Sequence, residues 1–202
     1  MRRGDFRRAL LAEPPLARDG WVDRALGVTE LSDDGGGLPR DGVPYLPAPV
    51  DALLRFADAA SLATHDRVID VGGGVGRAAA VLHLVTGARV DAIEIQPALA
   101  RAARELVERN DLGERVTIHE GDAPAMRELL ASGSAFFLYC PFGPARVAAT
   151  LDAIEAAARA RAVRIGALDV VLPARSWLAR DEERWPDLAI HRSRSSAFRT
   201  AG

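Results

Sequence analysis

The sequence predicts an α/β fold: a doubly wound, mostly parallel sheet with helices on both faces and a terminal antiparallel hairpin. Three observations carry that prediction. From residue 48 onward, short apolar runs rich in Val, Ile and Phe alternate with longer segments of helical period. One of these runs, Arg67-Val68-Ile69-Asp70-Val71, leads through Gly72-Gly73-Gly74-Val75-Gly76 directly into a helix. Helix punctuation falls between the runs, with Gly87, Pro97 and Asn110 at the expected ends and starts.

The elements follow in order. Residues 1–44 are rich in Arg, Asp, Gly and Pro, with Gly35-Gly36-Gly37 as the clearest breaker and short helices expected around 6–12 and 21–26. Over 48–59, Val50, Leu53, Leu54 and Ala57 share one helical face. The alternation then runs strand 67–71, helix 76–86, strand 89–94, helix 97–109 and strand 115–119. After Gly121-Asp122 come a short helix to about 131, strand 135–140, a long helix to about 160 and strand 164–172. Residues 177–179 and 188–190 read as two short final strands, paired as a hairpin.

Composition narrows the function. The 202 residues suffice for one domain with a real core, and a net charge of −2 argues against a nucleic-acid partner held by phosphate contacts. All 26 basic residues are Arg, so Schiff-base chemistry and a phosphate-binding P-loop lysine are excluded. Cys140 is the single cysteine, which precludes an intrachain disulfide and makes a reducing cytoplasm the default. His65, His83, His119 and His191 are dispersed without ligand spacing, so no metal site is expected, and neither His119 nor His191 shows a partner. No apolar run is long enough for a membrane span or a signal-peptide core.

The glycine turn carries the chemistry. Asp70, Gly72, Gly74 and Gly76 meet acid-x-Gly-x-Gly-x-Gly in full. The dinucleotide pattern G-x-G-x-x-G fails, because its third glycine position, counted from Gly72, falls on Arg77. A helix N-terminus alone suits a phosphate, but Asp70 sets a carboxylate beside it. Glu94 ends the next strand, where an acid accepts hydrogen bonds from a ribose; the glycine turn upstream favours that role over the alternative of a solvated strand-end carboxylate.

This layout is the first motif of the class I S-adenosylmethionine methyltransferases, and the chain from Val43 to about Phe142 resembles that Rossmann-like family. The resemblance implies S-adenosylmethionine as cofactor, with Asp70, Gly72, Gly73, Gly74 and Gly76 at its methionine end and Glu94 at the ribose. Ile95 counts among the cofactor-binding residues, and Asp122 and Ala123 face the adenine. As a residue in its own right, Asp122 before Ala-Pro-Ala is also a good helix N-cap. Tyr139-Cys140-Pro141-Phe142 resembles the fourth motif, with Tyr or Cys at its usual polar position, which speaks against methylation of base amino groups. Tyr139 and Phe142 are then the acceptor-facing residues, and Cys140 reads as a small buried hydrophobe.

Pro44-Tyr45-Leu46-Pro47 is similar to segments of the histone-H3 and ATP-synthase c-subunit lysine methyltransferases that cover the cofactor, which adds Tyr45 to the binding set. A rigid polyproline linker anchored by Tyr45 is an equal reading of the same residues. The expectation is a methyl transfer to a nucleophilic N or O of a protein lysine or a small molecule, with residues 1–44 as a lid on a domain spanning 45–202. The rivals are an NAD(P)-dependent oxidoreductase and a non-catalytic cofactor-binding scaffold. The acceptor and the oligomeric state are left open at this stage. Arg192, Arg194 and Arg199 read as a solvated basic tail.

Overall fold

The computed structural model describes residues 3–28, 45–139, 142–182 and 184–194. The glycine breaker at 35–37, Pro44, Cys140, Pro141 and Arg199 lie outside the described residues. Two helices, α1 (Arg3–Ala12) and α2 (Arg18–Leu26), precede α3 (Val50–Ala59). Then come β1 (Arg67–Val71), α4 (Arg77–Thr86), β2 (Arg89–Glu94), α5 (Pro97–Arg109) and β3 (Val116–Glu120). The chain continues through α6 (Arg127–Ser132), β4 (Ala135–Tyr139), α7 (Pro144–Ala160), β5 (Arg164–Leu168), β6 (Leu178–Arg180) and β7 (Leu188–Ser193).

The strands form one sheet in the order β3-β2-β1-β4-β5-β7-β6, parallel except for β7, which runs antiparallel to both its neighbours. Side chains alternate across the sheet. On β4, Phe137 and Tyr139 face a layer that includes Phe56 and Leu82, while Phe136 and Leu138 face one that includes Leu151 and Ile154 of α7. Helix α4 is apolar around most of its circumference, with Ala79, Ala80, Val81 and Leu82 fully buried, as expected of a helix sealed between sheet and neighbours. Helix α5 is two-faced: Leu99, Ala103 and Leu106 turn inward, and most of its charged residues turn outward.

One expectation shifts. The fifth strand ends at Leu168, not 172: the Asp169 N–H still donates to the Asp187 carbonyl of the β7 side, but Asp169 adopts a left-handed φ of 49° that turns the chain off the sheet. The N-terminal helices are part of the core: Phe6, Leu10 and Val22 are wholly buried, and the Phe6 and Trp21 rings lie 5.2 Å apart. The rest of the expected lid, residues 29–44, lies outside the described residues. No helix among the described residues is long and apolar enough to cross a membrane.

Candidate functional site

The strand order reverses between β1 and β4, so the turn after β1 and the end of β4 flank the crevice where open α/β sheets take ligands. The glycine turn is tied down from the β2 side. Gly72 and Gly73 both donate N–H to the Ile93 carbonyl at 2.9 Å. Gly74 donates to Glu94 Oε2 at 2.8 Å, and the other carboxylate oxygen of Glu94 takes the Gln96 N–H at 2.7 Å. Glu94 is thus a clamp on the turn as well as the acid at the β2 terminus. The Gly76 N–H donates to the Gly73 carbonyl at 2.9 Å, so four N–H groups of the turn are already committed inside the protein.

Gly74 has a φ of 53°, and a Cβ there would stand 2.2 Å from Cε2 of Tyr45. The Tyr45 ring therefore lies directly on the turn, which only a residue without a side chain permits. Burial pushes the Tyr45 phenol up to about 12, with Arg77 opposing and Asp23, Asp70 and Glu94 adding to the rise. Tyr45, Leu46, Asp70, Gly72, Phe137 and Tyr139 are among the residues lining a cavity of about 20 Å³ beside the turn.

Asp70 is the site's electrostatic anomaly. Its side chain is buried and its Oδ2 has no hydrogen-bond partner among the described residues. Burial, and then the neighbouring Glu94 charge, push its carboxyl up to about 7. A second orphaned acceptor, Gln96 Oε1, lies buried just past the end of β2. Buried polar atoms ordinarily find partners, and two orphaned oxygens beside a cradle fit a ligand that brings donors, such as an ammonium group.

On the β3 side, Ala123 is buried, Ile95 half-buried and Asp122 partly exposed. Asp122 stands at the cap position of the 123–125 turn, yet its side chain makes no cap hydrogen bond; its carboxylate pairs with Arg146 of α7. The same guanidinium lies over the Phe142 ring, 4.7 Å from its centroid. Tyr139 and Phe142 consequently sit on opposite faces of the sheet: Tyr139 packs against the layer containing Phe56, and Phe142 belongs to the layer containing Leu138.

Sequence reasoning did not single out Arg77 or Arg146, which the structure places directly after the glycine turn and against Asp122. Arg77 was visible only as the place where a glycine pattern fails. His119, for which no partner was visible, places Nε2 2.8 Å from Oδ1 of the buried Asp91, whose other oxygen takes Arg67 Nε at 2.7 Å. Burial works against the Asp91 charge, but those two partners hold its carboxyl below the usual range. Among the described residues no cluster of three or more His, Cys, Asp or Glu could hold a metal.

Residues 44–126 match the family model of protein-L-isoaspartate (D-aspartate) O-methyltransferases. Protein-L-isoaspartate O-methyltransferase 2 of Pelobacter propionicus is 35% identical over 114 residues, 56% of this chain and 48% of that protein. The Methylorubrum populi protein-L-isoaspartate O-methyltransferase is 35% identical over 108 residues, 54% of this chain and 49% of its own length. The chain thus spans about half the length of the curated relatives it matches. Among solved structures, an RNA methyltransferase from Salinibacter ruber in complex with S-adenosyl-L-homocysteine superposes with a TM-score of 0.58 at 21% identity, covering 73% of this chain and 92% of that one. In its sheet order and in the strand-turn-helix around the acid-glycine turn, the chain has the Rossmann-like fold of these methyltransferase structures, and its segment 44–126 is similar to the protein-L-isoaspartate O-methyltransferases.

Proposed function

We propose that the protein is an S-adenosylmethionine-dependent methyltransferase acting on a nucleophilic oxygen or nitrogen of its acceptor. The observation that carries this reading is Asp70: a buried carboxylate oxygen without a partner among the described residues, at the mouth of a glycine turn. It has the chemistry to receive the ammonium of an amino-acid-bearing cofactor. The same carboxylate would repel a pyrophosphate, and four N–H groups of the turn are already used, so a dinucleotide is the poorer fit.

When bound, S-adenosylmethionine supplies a methyl group on a sulfonium, open to in-line displacement. Such a transfer depends on positioning and desolvation. In this reading Asp70 and the Gly72–Gly76 backbone hold the methionine end. Glu94, at the end of β2, receives the ribose hydroxyls, and Gln96 Oε1 is a further acceptor beside it. Asp122, steadied by Arg146, and the Ala123 N–H face the adenine. Tyr139 and Phe142 wall the acceptor side from the two faces of β4.

The family match supports an L-isoaspartyl carboxylate in a peptide or protein as the acceptor to test first. That match ends at residue 126, before β4 and the acceptor-side residues, so its support is greatest for the cofactor half. The lone Cys140 supports a reducing compartment, the cytoplasm, as the place of action. The test is calorimetric titration of the whole chain with S-adenosylhomocysteine, with NAD and NADP in parallel. Micromolar one-to-one binding of the homocysteine, lost in Asp70→Ala, is the expected result. Heat from a dinucleotide alone would overturn the reading.

A further inference from the structure

Arg77 opens α4 immediately after the glycine turn, and its side chain is 3% exposed. All three of its nitrogens are engaged. Nε donates to Asp23 Oδ1 at 2.6 Å, Nη2 to Asp19 Oδ1 at 2.8 Å, and Nη1 to the Ala48 carbonyl at 2.8 Å. Asp19 uses the same Oδ1 to accept the Val50 N–H at 3.1 Å, at the start of α3. One guanidinium therefore joins α2, the segment 45–49, the start of α3 and the helix that leaves the cofactor cradle. Burial works against the Arg77 charge, but the two aspartates more than offset it and keep the guanidinium firmly protonated.

We infer that Arg77 is a positioning residue that holds Tyr45 on the glycine turn, so that the N-terminal helices build one wall of the cofactor site. The geometry is direct. Ala48, whose carbonyl Arg77 holds, is three residues from Tyr45, whose ring presses on Gly74. Asp19 and Asp23 are carried by α2, and α2 is anchored in the core by Val22 and Leu26. A planar fork with separate donors suits this junction, and a lysine ammonium would not reach all three acceptors in the same geometry. The role rests on the cofactor reading above, because it assigns the Tyr45 wall to that site.

The test is the dissociation rate and affinity of S-adenosylhomocysteine for the whole chain, compared across Arg77→Met, Tyr45→Ala and the double variant. Arg77→Met and Tyr45→Ala should each speed dissociation about tenfold. The double variant should dissociate no faster than the faster single, because both act through the same wall. Arg77→Lys should recover only part of the affinity. Should Arg77→Met fail to fold, Asp23→Asn, which leaves the Asp19 and Ala48 contacts in place, should still speed dissociation several-fold, with Tyr45→Ala again adding nothing. Effects that multiply in the double variant, or a folded Arg77→Met that releases the ligand at the wild-type rate, would overturn this role alone. Wild-type protein that does not bind the homocysteine would overturn the cofactor reading, and this role with it.

Discussion

Glu94 Oε2 accepts the Gly74 N–H at 2.8 Å, joining the end of β2 to the turn that follows β1. The carboxylate also accepts the Gln96 N–H, so two buried donors depend on one side chain. Glu94→Ala should lower stability by about 1–3 kcal/mol, the cost of leaving buried donors unsatisfied, and should abolish homocysteine binding. Paired denaturant and calorimetric measurements check this. A carboxylate that only served the ribose would leave stability unchanged.

Asp70 makes pH diagnostic. Its carboxyl stands at about 7 in the folded chain against 3.8 for the free group, so the folded state holds that proton more tightly. This contribution to folding stability is fully present below about pH 4 and is lost as pH rises toward 7. Homocysteine affinity should run the other way, rising through the upper part of that window as Asp70 ionises to meet the ammonium. Asp70→Asn should flatten both curves. Thermal melts and titrations at pH 5, 6, 7 and 8 would show it.

Gly74 cannot carry a side chain in this arrangement. Gly74→Ala meets both a φ of 53° and the Tyr45 ring, and should cost about 1–3 kcal/mol of stability together with most of the ligand affinity. Adding Tyr45→Ala should relieve the clash but not the backbone strain, so stability should recover only in part. Equilibrium unfolding of the three variants separates the two contributions.

Arg146 links two regions of the crevice, pairing with Asp122 and covering Phe142. Because Asp122 is partly exposed, Arg146→Ala should cost no more than about 1 kcal/mol of stability. Under the proposed placement of Asp122 at the adenine, S-adenosylhomocysteine affinity should nevertheless fall several-fold, as that carboxylate loses its fixed orientation. Adenosine alone should show the same loss, which locates the effect at that end of the ligand.

Phe6 tests the standing of the N-terminal helices. Its ring is fully buried beside Trp21, so Phe6→Ala should cost about 3–5 kcal/mol in a single cooperative unfolding transition. A detachable extension would instead unfold separately and leave the main transition in place.

The sheet and the cradle were legible because their signals are local. The β1 and β2 spans, α5 and the acid-glycine turn follow from periodicity, capping residues and spacing within a few residues of each other. The end of β5 was not, because it is set where the chain leaves the β7 side, at the left-handed Asp169 whose N–H still bonds to Asp187, eighteen residues away. His119 looked partnerless for the same reason: Asp91 lies 28 residues upstream and meets it only across the β2–β3 pairing.

The sequence by itself determined the α/β architecture, the place of the cradle and the acid that marks it. Tertiary structure alone decided that Arg77 would be a buried junction, that Glu94 would grip the turn, that Asp70 would be left with an unsatisfied oxygen, and that Tyr139 and Phe142 would stand on opposite faces. The reason is physical. Periodicity reports which face of an element is buried. Charge pairing and the environment of a buried carboxylate depend instead on groups that only the packed chain brings together, such as Asp19 and Arg77, 58 residues apart.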